Sequence, residues 1–181
     1  MAAASLIPTV LDAVVAGLRA YSTGDVTFRS PVSSASGVTV YDGPEWRLPA
    51  TDPDGFLVIG YGGEDLDDRA DDGEQGADVV TGDQQVRAIA TSSPKQQADD
   101  QIECVAFWRS GSVDTSQARA QAWAIVDAVD TFLRADPKVG VTASAAGQVM
   151  WVQLTSRSMS QWLNSGSRCA VRFTLTAHTR T

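Results

Sequence analysis

The sequence predicts an α+β fold, a mainly antiparallel β-sheet with two helices packed on one face. Three observations lead to it. Two stretches, about 6–21 and 114–135, place apolar residues three and four positions apart. The closing stretch 168–178 alternates apolar with polar residues, the period of a strand that buries one side only. The strand-like runs between and after the helices show no repeated βαβ crossover. With 181 residues, 43% of them apolar, the chain can bury a core of its own, so a single domain spanning 1–181 is expected.

The first helix is expected from about Leu6 to Tyr21, capped by Ser5 and carrying Pro8 in its first turn, where a missing N–H costs nothing. Its stripe is Ile7, Val10, Leu11, Val14, Val15 and Leu18. No element is expected from Gly24 to Gly37, which is rich in Ser, Gly and Thr. Val38–Tyr41 is a short strand closed by the turn signal Asp42-Gly43-Pro44, and a loop holding Trp46, Pro49 and Pro53 follows. Phe56–Tyr61 is apolar on both faces and belongs in the middle of the sheet.

A weaker strand is expected at Gln84–Thr91 and a firmer one at Ile102–Arg109, separated by a polar linker that suits an antiparallel reversal. The second helix, about Asp114 to Ala135, has Asp114 or Ser112 to cap it. Ala118, Ala122, Ile125, Val126, Val129, Phe132 and Leu133 would be buried, and Asp136-Pro137 ends it. The last strands are Gln148–Leu154 and Arg168–His178. In the second, Cys169, Val171, Phe173, Leu175 and Ala177 form the buried side.

Charge is the least even property of the chain. The net charge is −8, yet nine acidic residues (Glu64, Asp65, Asp67, Asp68, Asp71, Asp72, Glu74, Asp78 and Asp83) lie in one stretch against the single base Arg69. The other 13 acidic and 13 basic residues balance, so the acidity is local. Too few apolar residues accompany it to fold alone, and an acidic mobile loop or hairpin tip is expected at about 62–84. A chain of this charge is a poor tight binder of nucleic acid, whose phosphates need a basic surface.

No run reaches the ~20 apolar residues of a membrane helix, and the N-terminus lacks the pattern of a secretion signal, so synthesis in the cytoplasm without a membrane partner is expected. Cys104 and Cys169 fall in apolar strand-like runs, which favours buried thiols over a disulfide or a reactive thiol.

Catalysis would need a nucleophile, a base and an anion-stabilising set, or a metal cluster. The sole histidine, His178, is expected on a solvent-facing strand position, and no hydrolase, paired-cysteine, zinc-protease or phosphate-loop motif is present. Gly60-Tyr-Gly-Gly-Glu-Asp follows a strand, but Asp65 stands at the third glycine position and the neighbouring carboxylates would repel a pyrophosphate. Calcium is the more serious chemical rival for 64–83, although the EF-hand register fails at Ala70 or at Arg69. No enzyme, no cofactor and no resident metal are therefore expected. Of the tryptophans, Trp108 and Trp151 lie on predicted strands and are assigned to the core. Trp123, at the flank of the second helix, and Trp46 and Trp162, in predicted loops, are open between packing at the core edge and partner contact.

Several runs together resemble the tail terminator proteins of long-tailed, siphovirus-type bacteriophages: Leu6-Ile-Pro-Thr-Val-Leu-Asp-Ala-Val-Val15, Val40-Tyr-Asp-Gly-Pro44, Phe56-Leu-Val-Ile-Gly-Tyr61, Ile102-Glu-Cys-Val-Ala-Phe-Trp-Arg-Ser-Gly111, the Ala/Arg-rich helix with Asp136-Pro137, and the closing alternating strand. The resemblance lies in element order over nearly the whole chain, and the family has no chemical signature. It implies a virion structural and assembly protein at the tail-neck junction that caps the tail tube, ends its growth and forms a head-docking surface. It also implies a homo-oligomeric ring, usually a hexamer, that contacts the tail tube protein and a head-completion or neck protein and lets DNA pass without specific binding. On this reading the acidic stretch lines the lumen or meets a docking partner. The rival readings are another neck component, such as a head-tail connector or head-completion protein, and a calcium or small-molecule binding module built on the acidic loop.

Overall fold

A computed structural model describes residues 6–24, 26–33, 36–43, 55–61, 80–83, 97–144, 147–163 and 166–180. The elements run α1 (Ile7–Arg19), β1 (Ser22–Thr23), β2 (Val26–Arg29), β3 (Val38–Asp42), β4 (Gly55–Ile59), β5 (Val80–Asp83), β6 (Gln97–Ser110), α2 (Thr115–Ala135), β7 (Gln148–Leu163) and β8 (Ser167–Arg180). The protein is α+β: the strands form one sheet in the order β1-β2-β3-β4-β6-β8-β7, with β5 also paired to β6. β4 takes Cys104–Trp108 of β6 and β5 takes Asp99–Ile102 of the same strand, so the two short strands follow one another along one edge of β6. The β2–β3 and β3–β4 pairs are parallel and all other pairs are antiparallel.

Both helices lie on one face, as their stripes require. Ile7, Val10, Val14, Val15 and Leu18 of α1 are buried and Leu11 is half-buried. In α2 the buried set is Ala118, Ala122, Ile125, Val126, Ala128, Val129 and Leu133. They join Ile102, Cys104 and Ala106 of β6 and Cys169, Val171, Phe173, Leu175 and Ala177 of β8 in one core. Phe132, expected within this stripe, is half-buried instead and its ring reaches α1. There a Cβ on Gly17 would stand 2.5 Å from Phe132 Cζ, so only glycine lets the two helices approach this closely. A smaller cluster on the opposite face gathers Tyr41, Phe56, Val58, Tyr61, Val105 and Ala170.

Several expectations are corrected. Residues 24–37 contain β2, whose Val26 and Phe28 are buried while Thr27 is exposed; a short alternating run is masked in sequence by the Ser/Gly/Thr around it. Leu6 occupies the cap position of α1 with no side-chain cap, and Ser5 lies outside the described residues. β6 begins at Gln97, inside the stretch read as linker. β7 continues to Leu163, past the expected end at Leu154, so Trp162 stands on a strand and not in a loop. The physical reason is the pairing partner: β8 offers a continuous ladder from Arg180 to Ser167, and polar Thr155–Gln161 completes it despite weak strand propensity. Register shifts at Val149/Trp151 and Leu154/Ser156 absorb the mismatch. The expected strand Gln84–Thr91 and the loop around Trp46 lie outside the described residues, whereas β5 sits just before the former.

Gly55 faces Trp108 across the β4–β6 ladder, and a Cβ there would stand 2.2 Å from Trp108 Cε3. Gly55→Ala should therefore cost about 1–3 kcal/mol by overpacking, and Leu175→Ala, at a fully buried site, about 2–5 kcal/mol. Val32→Ser, at a position 94% exposed, should stay within about 0.5 kcal/mol. Urea denaturation of the three variants tests this ranking.

Candidate interaction surface

Three long antiparallel strands, β6, β8 and β7, carry in-register rows across the face opposite the helices. Asp99, His178 and Trp151 form one row, Gln101, Thr176 and Gln153 the next, and Glu103, Thr174 and Ser156 a third. Further along, Arg172 stands beside Ser158, and Arg168 is flanked by Arg109 and Trp162. Arginines thus gather toward one end of the face, while the other end mixes Asp99 and Glu103 with Arg180.

The rows are tied by hydrogen bonds. Ser156 donates to Thr174 Oγ1 at 2.8 Å, the Thr155 and Thr176 hydroxyls are 3.0 Å apart, and Arg172 Nη1 donates to Ser160 Oγ at 3.1 Å. A cavity of about 230 Å3 opens here, lined by Glu103, Ser156, Ser158, Arg172 and Thr174 with Cys104 and Phe173 beneath. It is smaller than the usual small-molecule site.

His178 is held more firmly than a solvent-facing position suggests. Its ring stacks on Trp151 with centroids 4.9 Å apart and planes 12° from parallel, and its Nδ1 contacts Asp99 Oδ1. Trp151 is therefore half-buried against His178, not part of the main core to which it was assigned; Trp108 packs against that core, half-buried. Beside Asp99, Asp100 has its carboxyl raised above the ordinary range, first by burial and then by the Asp99 charge. The sequence reading missed this trio because Asp99 was placed in a linker. The signal was available in the alternation of 97–104, which continues that of 102–109.

The two cysteines are free and buried, as expected. Both face the helices; Cys169 pairs with Trp108 and Cys104 with Phe173, so they do not oppose one another. Burial pushes the Cys104 thiol up to about 12, and Cys169 is also raised, chiefly by burial.

Of the residues proposed for partner contact, Glu64, Asp65, Asp67, Asp68, Asp71, Asp72, Glu74, Asp78 and Trp46 lie outside the described residues. Asp83 ends β5 in register with Asp99, which adds a second acidic position to that end of the sheet. Trp123 is half-buried where α2 meets the outer half of β7: its Nε1 donates to Met159 Sδ at 3.3 Å and the Arg157 guanidinium lies 5.9 Å from its ring. Trp162 shares that stretch of β7. Trp123 thus packs at the β7 edge on the helix side, whereas for Trp162 and Asp83 the register gives their neighbours, Arg168 and Asp99. Among the described residues no His, Cys, Asp and Glu side chains group in a way that could hold a metal ion, and no described helix is long and apolar enough to cross a membrane.

The Cys104 thiol should resist a thiol reagent at pH ~8 while the chain is folded and react after denaturation, because only the thiolate is nucleophilic. Raising the pH toward about 12 removes stability, since the unfolded chain ionises this thiol first. The contribution is complete below the ordinary thiol range. Cys104→Ala should flatten the alkaline loss of stability, read as the urea midpoint against pH.

No model of a known protein family matches the chain, and no curated protein matches it either.

Proposed function

We propose that the protein is a virion structural and assembly protein of a long-tailed bacteriophage that caps the tail tube, ends its growth and presents the surface on which the head docks. What carries the reading is the element order. An apolar opening helix, a group of short strands, one long strand, a long Ala/Arg-rich helix and a closing hairpin follow one another on the runs quoted above. The work is done by shape and charge at contacts with neighbouring proteins, without making or breaking covalent bonds.

In this role the chain forms a ring, usually of six subunits in the resembled family, seated on the last ring of tube protein. Ring closure needs two different patches on each subunit, and a sheet that ends in strand edges supplies surfaces a neighbour can extend or cover. The acidic stretch 64–83 then has one of two tasks. Facing the lumen, it repels passing DNA over a screening range of about 8 Å. Facing a neighbour, it meets a basic surface on the tube or neck protein.

Deletion of the gene should yield phage particles with overlong tails in electron micrographs. Tails of normal length unattached to heads would overturn the capping role and indicate a connector or head-completion protein. Replacing the nine acidic residues of 64–83 by Asn and Gln separates the two tasks: normal DNA ejection sinks the lumen assignment, and normal tail length with full head attachment sinks the docking assignment. A stoichiometric, micromolar calcium isotherm abolished by the same replacement would favour the binding-module reading.

A further inference from the structure

β7 ends the sheet, and among the described residues no strand pairs with its outer edge. The two halves of that edge differ. In the first half the Val152 N–H, which points outward, donates to Pro137 O at 2.7 Å in the turn after α2, and Val139 of the same turn is buried. Beyond the register shift at Leu154/Ser156, the ladder to β8 runs unbroken from Ser156 to Leu163. Hydrogen-bonding direction alternates along an antiparallel strand. Val152 pairs with Ala177, and the residues that pair with the same alternate set of β8, Arg157, Met159, Gln161 and Leu163, therefore also turn their backbone groups outward.

Proteins that stay single usually guard such an edge with lysine, proline or very short strands. This run has one charge, Arg157, no proline and no lysine, and among the described residues it carries two of the four large apolar side chains that stand exposed, Met159 at 42% and Leu163 at 67%. An extended strand is what the geometry accepts. The other sheet edge ends in β1, two residues long, so among the described strands the edge of matching length is that of β7 itself.

We infer that two copies of this chain associate in solution through residues 156–163 of β7, antiparallel about a two-fold axis at Ser160. That axis is the register in which every outward-facing residue of the run meets another. Met159 falls opposite Gln161 of the second copy, and Arg157 opposite Leu163 of the second copy. Arg157 never meets its own charge, its alkyl stem covers Leu163, and both exposed apolar side chains are removed from water. The inference is independent of the tail reading. An isologous pair presents the same patch twice, so it is a solution form of the chain and not the seam of a ring whose two faces differ.

Sedimentation velocity of the full chain over a concentration series tests it, with hydrogen exchange at 156–163. The wild type should show a concentration-dependent dimer whose formation slows exchange in this run. Leu163 is largely exposed, so its replacement leaves folding intact, checked by circular dichroism. Relative to Leu163→Gln, Leu163→Glu should tighten the dimer about fivefold, because two symmetric pairs with Arg157 form, and Leu163→Lys should weaken it by a similar factor. Arg157→Glu combined with Leu163→Lys should restore association. A monomer at every concentration overturns the proposal: slow exchange in 156–163 would then mean the edge is covered from within the chain, and fast exchange would leave it to a foreign strand. A dimer equally stable in all three Leu163 variants also overturns it, since the contact then lies elsewhere.

Discussion

The register of β8 between β6 and β7 is the constraint on which the rest of the molecule depends. Because side chains alternate along a strand, one register sends Cys169, Val171, Phe173, Leu175 and Ala177 to the helices and Arg168, Arg172, Thr174, Thr176 and His178 to the other face. A slip of one residue would exchange the two sets, placing two guanidiniums under α2. The cost of burying those charges keeps the ladder in place, and α2 can then lay its small and branched stripe across three strands at once. The close approach at Gly17 and Phe132 brings α1 onto the same layer, where it covers β2 and β3.

The same alternation that builds the core distributes charge on the other side. Residues of like charge stand in register on two ladders, Arg109 with Arg168 between β6 and β8 and Asp83 with Asp99 between β5 and β6. Directly opposed like charges weaken a ladder, and here they are tolerated at its ends, near solvent. At the other end, His178 contacts Asp99 and stacks on Trp151, which ties the three strands together. Arg109, Arg168 and Arg172 gather toward one end, whereas Arg180 joins Asp99 at the other, so the two ends offer a partner different charge.

Much of this was legible in the residues. The two helical stripes, the buried side of β8, the central position of β4 and the burial of both cysteines follow from periodicity and local polarity, and periodicity survives in any tertiary context. Pairing does not announce itself in the same way. β2 hides among turn-forming residues, and the outer half of β7 is a serine-rich run with little strand propensity of its own. Both are strands because a neighbour supplies the ladder. The His178, Asp99 and Trp151 row unites positions as far apart as 99 and 178, and no local pattern links them.

By itself, then, the sequence determined the class of fold, the faces its helices bury and the concentration of charge in one short stretch, because these depend on near neighbours in the chain. Only the tertiary structure decided which strands are adjacent, how far β7 extends, and which strand ends the described sheet with Met159 and Leu163 at its rim. Those outcomes rest on backbone hydrogen bonds between distant segments, and every residue type offers the same backbone donors and acceptors.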